Sequence, residues 1–96
     1  MDLKGFKNSL SQATPPAGLS LALQALWYEA RGDWHKAHHL AQEEGSVSGA
    51  WVHAYLHRKE GDTGNAAYWY SRAGRPSSEL LFDEEWEEIA RALLAL

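Results

Sequence analysis

Two pairs of histidines and one basic, aromatic cluster carry most of the chemistry available to this chain of 96 residues, which has no cysteine. His35 and His39 are four residues apart, and so are His53 and His57. On a helix that spacing sets two imidazoles on one face, as zinc and copper sites require. Trp51, Tyr55, Arg58 and Lys59 form a second group. An aromatic pair beside a guanidinium and an ammonium can hold an extended acidic peptide or a terminal carboxylate, with Arg58 making a bidentate contact. The alternative role for these four is packing, with Trp51 and Tyr55 in the core and Arg58 and Lys59 turned toward the chain's own acidic final helix. A third set, His57 with Asn65, Tyr68 and Arg72, offers an aromatic wall and hydrogen-bond donors to a small molecule.

What these residues can do depends on the helices that hold them. Leu19, Leu23, Leu26, Trp27 and Ala30 recur at helical spacing, and Gly32 suits the left-handed residue that closes a helix. Asp33 is placed to cap the next helix, which carries Trp34, Ala37, Leu40 and Ala41 on one face and ends near Gly45. Ser46 or Ser48 opens a third, bearing Trp51, Val52, Tyr55 and Leu56, before Gly61-Asp62 repeats the break. A fourth covers about residues 63–73, with Gly64, which costs about 1 kcal/mol inside a helix, leaving room for a start a residue or two later. Gly74-Arg75-Pro76 ends it. In the last helix Trp86, Ile89, Ala90, Leu93 and Leu94 follow the helical pattern, with Asp83 the expected cap. Leu3, Phe6 and Leu10 suggest a short docked helix before Thr14-Pro15-Pro16.

These elements limit the histidines and the catalytic options. On a helical wheel His53 and His57 fall nearly opposite the Trp51, Val52 and Tyr55 stripe, and His35 and His39 fall away from Trp34, Ala37 and Ala41, so both pairs are expected to face solvent. No glutamate follows the first histidine as in the metalloprotease signature, and neither a metal site nor another cofactor is assigned. No strand pattern exists to build a nucleophile elbow, and no glycine-rich loop follows a strand to cradle phosphate. Gly61-Asp62-Thr63-Gly64 is a helix break. A non-enzymatic protein is expected.

Composition narrows the partners. With 45% hydrophobic and 23% charged residues, the chain fits one soluble domain with a single core. Glu79, Asp83, Glu84, Glu85, Glu87 and Glu88 place six acids in ten residues, while the rest of the chain balances seven acids with nine Lys and Arg. The acids between 83 and 88 suit the first turn of a helix and its solvated face. No basic stripe exists to follow phosphates, so nucleic acid is not expected. No apolar run is long enough to span a membrane and the start lacks a signal-peptide pattern, which points to a cytoplasmic protein.

The segments around the two Gly-Asp breaks, Gln24–Ala37 and His53–Ala66, lie 29 positions apart. Small residues match in the first helix (Ala25, Ala54), the turns match (Gly32-Asp33, Gly61-Asp62), and small residues recur in the second helix (Ala37, Ala66, Ala73). Residues 19–76 thereby resemble tetratricopeptide repeats or their SEL-type relatives. The spacing is shorter than that family's usual repeat, His57 stands where Tyr28 supplies an aromatic in the first copy, and Ala41 stands opposite Tyr70. The resemblance implies an all-α bundle of about five helices: an N-terminal segment (1–13), hairpin one (19–45), hairpin two (46–75) and a capping helix (77–96) on the second hairpin. It also implies a concave face through Ala22, Leu26 and Glu29 in copy one and Trp51, Tyr55, Arg58 and Lys59 in copy two, where a protein or peptide partner, acidic in character, would bind. The apolar stripe of the last helix could instead pair two copies of the chain.

Overall fold

Five of the six helices in this chain start on a side-chain oxygen. In the computed structural model, which describes residues 1–96, they are α1 (Leu3–Asn8), α2 (Leu21–Ala30), α3 (Trp34–Glu43), α4 (Val47–Lys59), α5 (Thr63–Ala73) and α6 (Phe82–Leu94), with a 3-10 turn at Ser9–Ser11 and no strand. The side chains of Asp2, Ser20, Asp33, Ser46 and Asp62 accept from backbone N–H groups of Gly5, Leu23, Lys36, Gly49 and Asn65. Each bond satisfies a donor that an uncapped helix would leave open, an effect of about 1 kcal/mol. The Asp62 cap starts α5 at Thr63 in spite of Gly64, and the helix spans the 63–73 expected of it.

The two Gly-Asp breaks are matched in geometry. Gly32 has φ 86° and Gly61 φ 88°, left-handed values that cost other residues about 1–2 kcal/mol. In each turn the following Asp N–H reaches back to a carbonyl five residues earlier, Asp33 to Tyr28 and Asp62 to His57, both at 2.9 Å. The result is two antiparallel hairpins, α2–α3 and α4–α5, with α3 packed on α4 between them.

One core runs through the whole chain, from Phe6 in α1 to Leu93 in α6. Its centre is α4, in which every residue from Gly49 to His57 is buried. This helix contacts α2, α3, α5 and α6, and so has no solvated side along that stretch. Gly49 marks the tightest approach: a Cβ there would lie 2.2 Å from the Glu44 carbonyl oxygen and 3.0 Å from that of Ala41.

Two expectations about the last helix change. Its N-cap is Leu81, and Asp83 lies in the first turn. Glu84 reaches back to accept the Leu81 N–H at 3.1 Å, which supplies a cap bond without Asp83. Nor does α6 sit on the end of the second hairpin. It lies against α2 and α4, across both hairpins, and also contacts α1. The large aromatics explain this position. Trp86 stacks on Phe6 with ring centroids 5.5 Å apart and donates its indole N–H to the Leu26 carbonyl at 3.0 Å. No helix is long and apolar enough to cross a membrane.

Candidate functional site

The expected concave face is the face that α6 covers. Ala22, Leu26, Trp51 and Tyr55 are all buried there. Arg58 donates Nη1–H to Glu85 Oε1 at 2.8 Å, and its second guanidinium nitrogen donates to the Leu80 carbonyl. Glu85 is fully buried, and its other oxygen accepts the Tyr70 hydroxyl. One acid of the 83–88 run is therefore in the interior, where the helical period sends it toward Arg58, and is not part of the solvated face. Lys59 does not join it. Its ammonium pairs with the buried Glu29 of α2, which also accepts the Tyr55 hydroxyl at 3.3 Å. Burial, and then the neighbouring carboxylate, raises the pKa of both phenols: the Glu29 charge acts on Tyr55 and the hydrogen bond to Glu85 on Tyr70. Arg75 closes the outer edge, its guanidinium carbon 3.4 Å from the Trp51 ring centroid.

The histidines differ more from expectation. His35 and His39 are exposed, as the wheel suggests, and His39 pairs with Glu43 at 3.0 Å. His53 and His57 are buried, at 4% and 7% exposure. The wheel placed them opposite the apolar stripe of α4, but that opposite side is covered as well, by α3 and α5. His38 of α3 completes a cluster: one ligand-capable atom from each of His38, His53 and His57 lies within 4.8 Å of the others. His38 Nε2 and His53 Nε2 are 2.8 Å apart, so one donates and the other accepts. His57 Nδ1 is 2.7 Å from Glu60 Oε1. Indoles wall the group, with Trp34 stacked on His38 at 4.9 Å and Trp69 on His53 at 4.0 Å between centroids.

Burial favours the neutral form of two of these rings, His53 and His38. The His53 imidazole is pushed down to about 4, by desolvation first and then by the neighbouring His38 and His57. His38 is lowered by the same burial and by His57. Sequence spacing identifies the His53 and His57 pair. His38 lies outside any i, i+4 pair with them, and only the packing of α3 on α4 brings it in.

The third set does not share a cavity. Arg72 and His53 line one of about 330 Å³ between α5 and the α3–α4 turn, without Tyr68, Asn65 or His57. Tyr68 is exposed and accepts from Arg72 at 3.1 Å on the outer surface of α5. The apolar stripe of α6, formed by Trp86, Ile89, Ala90 and Leu93, is buried within the chain. A scan against protein-family models found no match, and searches of curated proteins and of solved structures returned none either.

Proposed function

We propose that this chain is a non-enzymatic, tetratricopeptide-like interaction module whose groove recognises an acidic amphipathic helix. The observation that carries the reading is the seating of α6: Glu85 is fully buried between Arg58 and Tyr70, and Trp86 beside it is held by Phe6 and the Leu26 carbonyl. A carboxylate fixed by a guanidinium and a hydroxyl, next to an aromatic anchor, is the chemistry by which such a groove would read a partner segment. The matched Gly-Asp turns and the buried Ala25, Ala37, Ala54 and Ala66 support the repeat assignment. In this conformation the groove holds the chain's own helix, and a partner helix of the same character would compete for it. A cytoplasmic setting goes with a chain that lacks cysteine.

The test uses the full chain carrying Trp86→Ala with Glu85→Ala, which loosens the resident helix, and a fluorescent peptide of residues 78–96. Saturable binding that disappears with Arg58→Glu is the expected result. If the doubly substituted chain keeps its helical circular dichroism and ignores the peptide, the groove does not recognise helices in trans.

A further inference from the structure

We propose that His38, His53 and His57 form a binding site for one divalent transition-metal ion of the zinc and copper class. The argument starts from composition. A chain with no cysteine can offer such an ion only imidazole and carboxylate donors, and imidazole suits Zn(II), Cu(II) and Ni(II). Three imidazoles meet here from two helices, His53 and His57 one turn apart on α4 and His38 facing them from α3. Three protein ligands with an open fourth position is the arrangement of a zinc centre that keeps a water or takes an exogenous ligand.

Binding would need the rings to close on the ion, because His53 and His57 stand stacked with centroids 4.8 Å apart and an interplanar angle of 21°. Nitrogens at about 2.0–2.1 Å from a tetrahedral ion stand about 3.3 Å from one another. His38 Nε2 and His53 Nε2, 2.8 Å apart, already face each other across a shared proton. A cation replacing that proton would spread them by about half an ångström. His57 approaches from within the 4.8 Å limit of the cluster, a movement its side-chain torsions can supply. Glu60 fixes His57 through Nδ1, leaving Nε2 as its ligand atom. A carboxylate behind a ligating histidine sets the tautomer and raises the basicity of the ligand. The stacked Trp34 and Trp69 hold the His38 and His53 rings in orientation. His38 is only half-buried, which leaves a route for the ion.

His57, Glu60 and Asp62 also place three donor atoms within 4.8 Å, on the exposed side of His57. That set would use the Nδ1 atom that Glu60 now engages, and both carboxylates are open to water, where a cation gains less. The two sets predict different ligands, so variants separate them.

Tag-free protein stripped with chelator is titrated with Zn(II) by calorimetry and with Co(II) by visible absorption. The expected result is one ion per chain, a Co(II) ligand-field band typical of a nitrogen-rich site of low coordination number, and a rise in melting temperature on adding Zn(II). His38→Gln, at a half-exposed position, should keep the helical circular dichroism, weaken Zn(II) at least tenfold and abolish the thermal rise. Glu60→Gln should weaken binding about 10- to 100-fold, as loss of an orienting carboxylate does. The pair His35→Gln with His39→Gln should change nothing. Absence of stoichiometric binding overturns the proposal, and so does binding that survives His38→Gln or is lost with His35 and His39. Loss of binding with Asp62→Asn while His38→Gln has no effect assigns the ion to the outer set and also overturns it.

Discussion

Glu29 and Glu85 each sit in the interior with a tyrosine hydroxyl and a basic side chain. Tyr55 and Lys59 serve the first, Tyr70 and Arg58 the second. Removing Arg58 would leave the buried Glu85 unpaired at a cost of about 3–5 kcal/mol, whereas Lys59 is 39% exposed and solvent screens its pair with Glu29. The phenols also make stability depend on alkaline pH. In the unfolded chain tyrosine loses its proton near pH 10, whereas burial keeps Tyr55 and Tyr70 protonated to higher pH when folded. A folded-state pKa above the unfolded value gives stability that is complete below about pH 10 and lost as pH rises beyond it. Urea midpoints measured from about pH 9 to about pH 11 should therefore fall, and Tyr70→Phe should fall less steeply although it starts lower. Equal slopes for the two proteins would show that Tyr70 ionises alike in both states. Of these residues, the sequence makes Arg58 and Lys59 legible as a basic pair. Their separate destinations, one to α6 and one to α2, depend on which acids the tertiary fold brings inside.

At the scale of elements, local signals are reliable where they concern backbone chemistry. The Gly-Asp breaks, the Ser46 start and the end at Gly74 are all where residue type places them, because capping oxygens and left-handed glycines act over three or four residues. Periodicity served the last helix well and α4 poorly. A helix covered on every side has no solvated face to reveal, and its polar residues then look exposed on a wheel although partners surround them. His53 and His57 are the result. Gly49 was equally silent in the sequence, since its role is a close approach between α4 and the end of α3. Gly49→Ala should cost about 1–3 kcal/mol by overpacking, in contrast to the gain Ala normally brings to a helix interior. Chemical denaturation decides this, and a stabilised Gly49→Ala would mean that the α3–α4 turn yields easily.

For the molecule as a whole, the sequence conveys an all-helical chain with two hairpins and a last amphipathic helix, but its reading of that helix as a cap on the second hairpin misses the contact with α2. Docking is a question of which surface offers room for Trp86, and the Phe6 ring and the Leu26 carbonyl answer it from distant parts of the chain. A chain ending at Pro76 should lose the burial of Trp86, Ile89 and Leu93, about 1.5–3 kcal/mol for each large side chain, and expose the Arg58 and Tyr70 that Glu85 satisfies. Its melting temperature should drop well below that of the full chain. An unchanged melting temperature would remove α6 from the list of stabilising elements.

The path of α6 also bears on how the chain unfolds. In a linear array of helical repeats each unit touches only its neighbours, and the ends can fray while the middle persists. Here one helix rests on the first helix of both hairpins and also contacts α1, so the two chain termini are joined through Phe6, Trp86 and the Lys7–Glu87 pair. Opening at either end uncovers the same indole. Two hairpins that could otherwise melt one after the other share this helix, and they are expected to unfold together as one cooperative unit.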